Sequence, residues 1–303
     1  MEMLVTRKLP IGIQTFENIR TANYLYVDKT ALVWRIANTG KPYFFSRPRR
    51  FGKSLLLSTF EAYFSGRKDL FEGLAIEGME KEWNVHPVFH LDLNAEKYDR
   101  PEGLYSILDR YLKMWEARWG KDEGETTPSG RFFEVIRRAY EQSGREVVVL
   151  IDEYDKPLLQ ALGRDDALLA NYRDSLKAFY GVLKSADRYL RFVFLTGVTK
   201  FSQISVFSDL NQLNDISMDY NYATLCGITL EELKENFQPE ITQLAAINID
   251  ENDGAVRRLS FSPEGRGNVQ PVQRAEHVLQ ARVRQLLVPD RNADLSSGVV
   301  EEE

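Results

Sequence analysis

Short runs of consecutive apolar residues alternate along this chain with longer stretches whose apolar positions recur at helical spacing. That alternation predicts a mainly parallel sheet covered by helices. Residues 42–46 (PYFFS) read as a buried strand and lead at once into RPRRFGKS. Beyond Ser54, LLLSTFEAYF carries an apolar stripe, which predicts a helix starting near Gly52 or Lys53. Residues 88–93 (VFHLDL) predict a second strand, and 104–119 and 131–141 predict helices separated by a loop rich in Gly, Thr and Pro. Residues 147–151 (VVVLI) are the clearest strand, because a continuous β-branched run suits a strand covered on both faces. A helix over 167–185 and a buried strand over 192–195 (FVFL) complete the series, with no internal repeat.

Beyond residue 239 the pattern fades. Residues 241–303 contain no lysine and one aromatic, Phe261, although the whole chain is 12% aromatic. Little apolar surface is available there, and SPEGRGNVQPVQ has little periodicity, so the reading is a poorly ordered tail. One amphipathic piece, 275–287, suits an isolated helix. The chain thus divides into a domain over 1–240 and a divergent tail over 241–303.

Composition narrows the chemistry. A formal charge of −6 over 303 residues argues against a wholly basic nucleic-acid binder. One cysteine, Cys226, rules out an internal disulfide framework, and three histidines, His86, His90 and His277, make a histidine-rich metal site a poor reading. The N-terminus lacks the apolar core of a secretory signal, and no apolar run approaches the roughly 20 residues that cross a bilayer. A cytoplasmic location with no membrane contact is the expectation.

The segment Gly52-Lys53-Ser54 stands between the first strand and the first striped helix. A phosphate site needs a small residue where backbone N–H groups approach oxygens, a lysine for the outer phosphates and a hydroxyl for magnesium. The positive end of the helix adds to these. The full pattern expects glycine where Arg47 stands, so the loop is stiffened by Pro48 and made basic by Arg47, Arg49 and Arg50. These arginines are read as facing the nucleotide, another chain or water. A bare GK[ST] occurs by chance in roughly one chain in seven of this length, so the strand–loop–helix setting carries the assignment. Residues 47–55 (Arg47, Pro48, Arg49, Arg50, Phe51, Gly52, Lys53, Ser54 and Leu55) are the expected nucleotide contacts.

Asp152-Glu153 directly follows VVVLI, at the strand end where open α/β sheets bind ligands. Asp152, with Ser54, is expected to hold Mg2+, and Glu153 to act as general base toward the attacking water. Acidic residues also begin helices for dipole reasons alone; the presence of Lys53 and Ser54 favours the catalytic reading. Thr196, at the end of FVFL, is the first choice for a γ-phosphate sensor, ahead of Thr199 and Lys200. A strand intervening between the phosphate loop and Asp152 fits the branch of P-loop ATPases with a catalytic glutamate beside the magnesium aspartate. Kinases and GTPases usually set those two strands side by side.

Four motifs carry a resemblance: YVDKT (26–30), RPRRFGKSLLLSTFEAYF (47–64), LIDEYDKPL (150–158) and FLTGVTKFS (194–202). Over residues 9–239 the chain closely resembles the bacterial AAA-ATPase-like family. The resemblance implies an α/β P-loop NTPase three-layer sandwich, with ATP and Mg2+ as ligands, and makes Arg47 the expected residue. Such proteins often continue into a restriction-endonuclease-like nuclease domain. No such continuation is visible in 241–303, since a Glu-x-Lys motif needs a lysine. A truncated or frame-shifted coding sequence is the expectation there; an alternative reading frame with an aromatic-rich continuation would support it, and its absence would refute it.

The leading functional reading is an ATP-driven switch that binds Mg-ATP, hydrolyses it slowly and acts on a protein partner or within a homo-oligomer. A second is a nucleic-acid-associated protein of mobile elements or defence, whose ATPase regulates a nuclease. A third is a module that binds nucleotide without turnover. Arg188 and Arg191 are arginine-finger candidates by chain position only, with solvated surface the blander reading. Trp34, Tyr43, Phe44, Phe60, Tyr63 and Phe64 are expected in the core, and Cys226 as a small buried side chain. Asp28 and Lys29 are read as a structural contact at the site's edge.

Overall fold

The computed structural model describes residues 8–40, 42–199 and 213–239. The expected tail over 241–303, its helix over 275–287 and Lys200 lie outside the described residues. The described residues fall into two compact units. One comprises 13–22 and 28–227; the other comprises 8–12, 23–27 and 228–239.

In the larger unit the apolar runs become β1 (Tyr43–Ser46), β2 (Val88–Asp92), β3 (Val147–Asp152) and β4 (Leu190–Gly197). A fifth, β5 (Asn214–Asp215), had no hydrophobic signature and is exposed. The strands form one sheet in the order β2-β3-β4-β1-β5, with every pairing parallel. β1 and β3 are therefore separated in space by β4. The strand that intervenes in sequence, β2, lies instead at the sheet edge. Its burial alternates along its length, as an edge strand's does, whereas β1 and β3 are buried at every position.

Helices cover both faces, giving three layers. Alternate residues of a strand point to opposite faces, and β4 shows the consequence. Phe192 and Phe194 meet Phe60 of α3 (Lys53–Phe64) at 5.0 Å between ring centroids. Val193 and Leu195 face the other way, into a cluster with Leu108, Phe132, Leu176 and Phe179. Those four come from α4 (Glu102–Trp119), α5 (Pro128–Ser143) and α7 (Asp166–Ser185). Helices α1 (Phe16–Thr21) and α2 (Thr30–Thr39) pack with α3, and α6 (Lys156–Ala161) packs with α7.

Predicted helix ends shift by two or three residues where caps extend them. Thr127 accepts the Gly130 N–H ahead of Pro128, so α5 starts before Arg131. Tyr43, Phe44, Phe60, Tyr63 and Phe64 are buried as expected. Trp34 is only half-buried, against expectation, because it lies on the outer side of α2. In YVDKT, Asp28 has a structural role. Its Oδ1 accepts the Thr30 N–H and hydroxyl, and its Oδ2 accepts the Ala75 N–H at 2.7 Å, stapling α2 to the turn at Ala75–Gly78.

The smaller unit carries α8 (Leu230–Asn236), opened by a capping box in which Thr229 and Glu232 satisfy each other's backbone N–H groups. In the same unit the Leu25 N–H donates to the Lys8 carbonyl at 2.9 Å.

Candidate active site

Because every strand is parallel, the ends of β1, β3 and β4 share one sheet edge. There Phe45 pairs with Thr196, Ser46 with Gly197, and Ile151 with Leu195. In open α/β sheets the carboxyl edge of the strands is where ligands bind.

The loop after β1 is exposed from Pro48 to Gly52, including Phe51 at 41%. Arg50 has φ +66° and Gly52 has φ +91°, both in the left-handed region. Gly52 is the N-cap of α3 and supplies no side-chain acceptor, so the first-turn N–H groups receive no side-chain cap. These unsatisfied donors and the helix dipole favour an anion. Leu55, in that first turn, is half-buried.

Lys53 reaches back along the loop. Only 4% exposed, its ammonium donates to the Arg47 carbonyl at 3.1 Å and the Pro48 carbonyl at 3.3 Å. It also stands 3.6 Å from Glu153 Oε1. Asp152, likewise 4% exposed, collects the neighbouring donors. Its Oδ2 accepts the Ser54 hydroxyl at 2.5 Å, and its Oδ1 accepts the Thr196 hydroxyl at 2.6 Å and the Glu153 N–H at 3.0 Å. Glu153 holds φ +54°, a conformation costly for a residue with a Cβ (about 1–3 kcal/mol) and concentrated at functional sites. Burial raises its carboxyl pKa above the ordinary glutamate value; Lys53 opposes this, and Asp152 and Asp155 reinforce it.

Lys53, Ser54, Asp152, Glu153 and Thr196 are thus brought together. The loop arginines separate. Arg47 Nη1 donates to the Ser46 and Ser217 carbonyls at 3.0 and 2.6 Å, and its guanidinium lies 4.4 Å from the Phe45 ring centroid. Its half-buried side chain is thus anchored to the backbone at Ser46 and Ser217. Arg49 and Arg50 remain exposed. Arg188 and Arg191 lie at the amino end of β4, the edge opposite Thr196, so neither reaches the Glu153 of its own chain.

The donor set fits magnesium. Among the described residues no group of three His, Cys, Asp or Glu side chains is arranged to hold a metal. Mg2+ does not require one, since it is usually held by one or two carboxylates, waters and substrate phosphates. Ser54 Oγ and Asp152 Oδ2 form such a partial set. The two histidines are engaged elsewhere: His90 Nδ1 meets Glu61 at 2.8 Å, and His86 Nδ1 meets the Glu146 carbonyl at 2.8 Å. Cys226 is half-buried, and desolvation pushes its thiol up to about 12.

Sequence reasoning missed three neighbours. Ser217 places its hydroxyl under the start of the loop, accepting the Ser46 N–H at 2.8 Å. Tyr154 and Asp155 lock the end of β4 to the acidic turn. The available signal was the second aspartate of IDEYD, three residues beyond the first.

The sequence matches the family described as predicted AAA-ATPase over residues 10–207. A curated relative, an uncharacterized protein in the vnfD 5' region of Azotobacter chroococcum mcd 1, is 41% identical over 239 residues. That match covers 78% of this chain and 46% of the relative, so the chain spans under half the relative's length. No solved structure matches the chain.

Proposed function

The chain belongs to the predicted AAA-ATPase family, and from that premise we propose that residues 1–240 bind Mg-ATP and hydrolyse it slowly, as a cytoplasmic conformational switch for a protein partner. The convergence of the Ser54–Asp152 contact (2.5 Å) and the Lys53–Glu153 contact (3.6 Å) at one sheet edge is the observation that carries this reading.

The α3 N–H groups and Lys53 bind the phosphates. Lys53 exchanges its loop carbonyls for β- and γ-phosphate oxygens, a stronger charge-assisted bond. Ser54 and Asp152 would hold magnesium, which would supply charge neutralisation to the phosphates. Asp152, held on both oxygens by Ser54 and Thr196, presents a fixed carboxylate to it. Glu153 lies at the turn facing Lys53 and accepts the proton of the attacking water. The water oxygen bonds to the γ-phosphorus as the bond to the ADP oxygen breaks. Departure of Lys53 to the phosphates also releases Glu153 from its ion pair, so the base is freed as substrate arrives.

Among the described residues no helix is long and apolar enough to cross a membrane. Calorimetric titration with Mg-ATP, followed by phosphate release, tests the proposal. Saturable binding that Lys53→Ala weakens by about 10–100-fold, with measurable release by the wild-type chain, is the expected result. No binding at millimolar nucleotide would contradict it.

A further inference from the structure

Asp155 is fully buried, 0% exposed, three residues beyond the magnesium aspartate. It stands at the N-cap position of α6, yet its carboxylate makes no cap bond there. Its Oδ2 is instead committed to the chain leaving β4. It accepts the Val198 N–H at 3.0 Å, the Thr199 N–H at 2.7 Å and the Thr199 hydroxyl. Its other oxygen, Oδ1, has no hydrogen-bond partner among the described residues.

Tyr154 completes the clasp. Its N–H donates to the Thr196 carbonyl at 3.0 Å, and its hydroxyl lies 3.2 Å from Thr199 Oγ1. The fit is close enough to require glycine between the two threonines. A Cβ at Gly197 would fall 2.3 Å from the Tyr154 ring and 2.8 Å from Asp155 Oδ1.

A buried carboxylate is costly unless several donors satisfy it, and charge-assisted bonds are roughly twice as strong as neutral ones. Among the described residues those donors come from the two residues that follow Thr196-Gly197. Thr196 is the residue whose hydroxyl holds Asp152 Oδ1. Asp155 therefore fixes the backbone on which that hydroxyl is mounted, from the same turn that carries Asp152 and Glu153.

We propose that Asp155 is a positioning residue for ATP hydrolysis, clasping Val198 and Thr199 so that Thr196 stays aligned with Asp152 and with the γ-phosphate. This rests on the hydrolysis reading above. Asp155 is wholly buried and its hydrogen bonds go to Val198 and Thr199, so its loss should leave binding to Lys53 and the α3 N-terminus intact. Misplacement of a reacting group by about 1 Å is enough to cost about 100-fold in rate.

The test compares wild type, Asp155→Asn, Thr199→Val and Asp165→Asn for Mg-ATP and Mg-ADP affinity, kcat and melting temperature. Asp155→Asn keeps the shape and removes the charge; Thr199→Val removes one donor and serves if the first variant is poorly folded. Asp165→Asn weakens the α7 cap, where Asp165 accepts the Leu168 N–H, and reports a merely structural loss. Support is an unchanged Kd with kcat reduced about 100-fold in Asp155→Asn, a smaller fall in Thr199→Val, and none in Asp165→Asn per folded molecule. The proposal is overturned if Asp155→Asn turns over like wild type, or if binding and turnover fall together with the melting temperature. If the wild type binds without turnover, hydrolysis itself is refuted, and the clasp is judged by ATP-over-ADP preference. Loss of that preference in Asp155→Asn supports positioning, and an unchanged preference overturns it. If the wild type binds no nucleotide, the phosphate-site reading fails and this inference falls with it.

Discussion

After β1 the chain runs out into solvent. Residues 48–52 are exposed, Arg50 and Gly52 take left-handed conformations, and the α3 N-terminus has no side-chain cap. After β3 it turns inward: Asp152 and Asp155 are almost wholly buried, and their carboxylates accept six hydrogen bonds between them. The difference follows from what each turn meets. A phosphate loop leaves backbone N–H groups unsatisfied until an anion arrives, so it stays open to water. A catalytic turn must hold its acids at fixed angles before substrate arrives, and only surrounding donors can do that in a buried setting.

Substitutions at the two turns should therefore fail differently. The largest effect belongs to the inner turn: Glu153→Gln should lower kcat by about 10²–10⁴-fold, the usual worth of a positioned base, with nucleotide affinity retained. A steady-state assay beside equilibrium binding checks this. Thr196→Val leaves one Asp152 oxygen without its hydroxyl donor and should lower kcat at least as far as Asp155→Asn, which acts through it, by about 100-fold, without changing Kd. At the outer turn, Lys53→Ala removes charge-assisted phosphate bonds worth about 1.5–3 kcal/mol, so calorimetry should show Mg-ATP affinity reduced by about 10–100-fold.

Arg47 sharpens the contrast, because it lies in the loop sequence and serves the scaffold. Arg47→Ala removes a bond to the buried Ser217 carbonyl and the Phe45 contact, and should cost about 1–2 kcal/mol of stability. Chemical denaturation should show that loss, while nucleotide affinity changes less than in Lys53→Ala. A milder probe is pH. Burial raises the Glu153 carboxyl, and a base must be ionised to accept a proton. The acid limb of kcat/KM should accordingly lie above the ordinary glutamate value, with activity lost as pH falls through the raised pKa. A limb at the ordinary value would place Glu153 in water in the active protein.

The inner and outer turns were unequally legible in the sequence. Lys53, Ser54, Asp152 and Glu153 could be read because each belongs to a short contiguous motif next to a strong apolar run. The strands of the sheet centre were legible for the same reason, as continuous apolar segments buried on both faces. β5 was not, because Asn214 and Asp215 are polar and exposed and are held by backbone pairing: the Asn214 N–H meets the Pro42 carbonyl at 2.9 Å. The partners that orient the acids were equally hidden. Asp152 and Thr196 are separated by 44 residues, Asp155 and Thr199 by 44, and Ser46 and Ser217 by 171. No local periodicity encodes such pairs, and they emerge only when parallel strands bring their ends to one edge.

The most direct test of the account is Mg-ATP turnover by wild type and Glu153→Gln, read against bound nucleotide in the same samples. Glu153→Gln that binds like wild type and releases no phosphate would establish the division between an outer turn that binds and an inner turn that reacts. Equal phosphate release by the two proteins would contradict it, leaving Glu153 a residue of the scaffold.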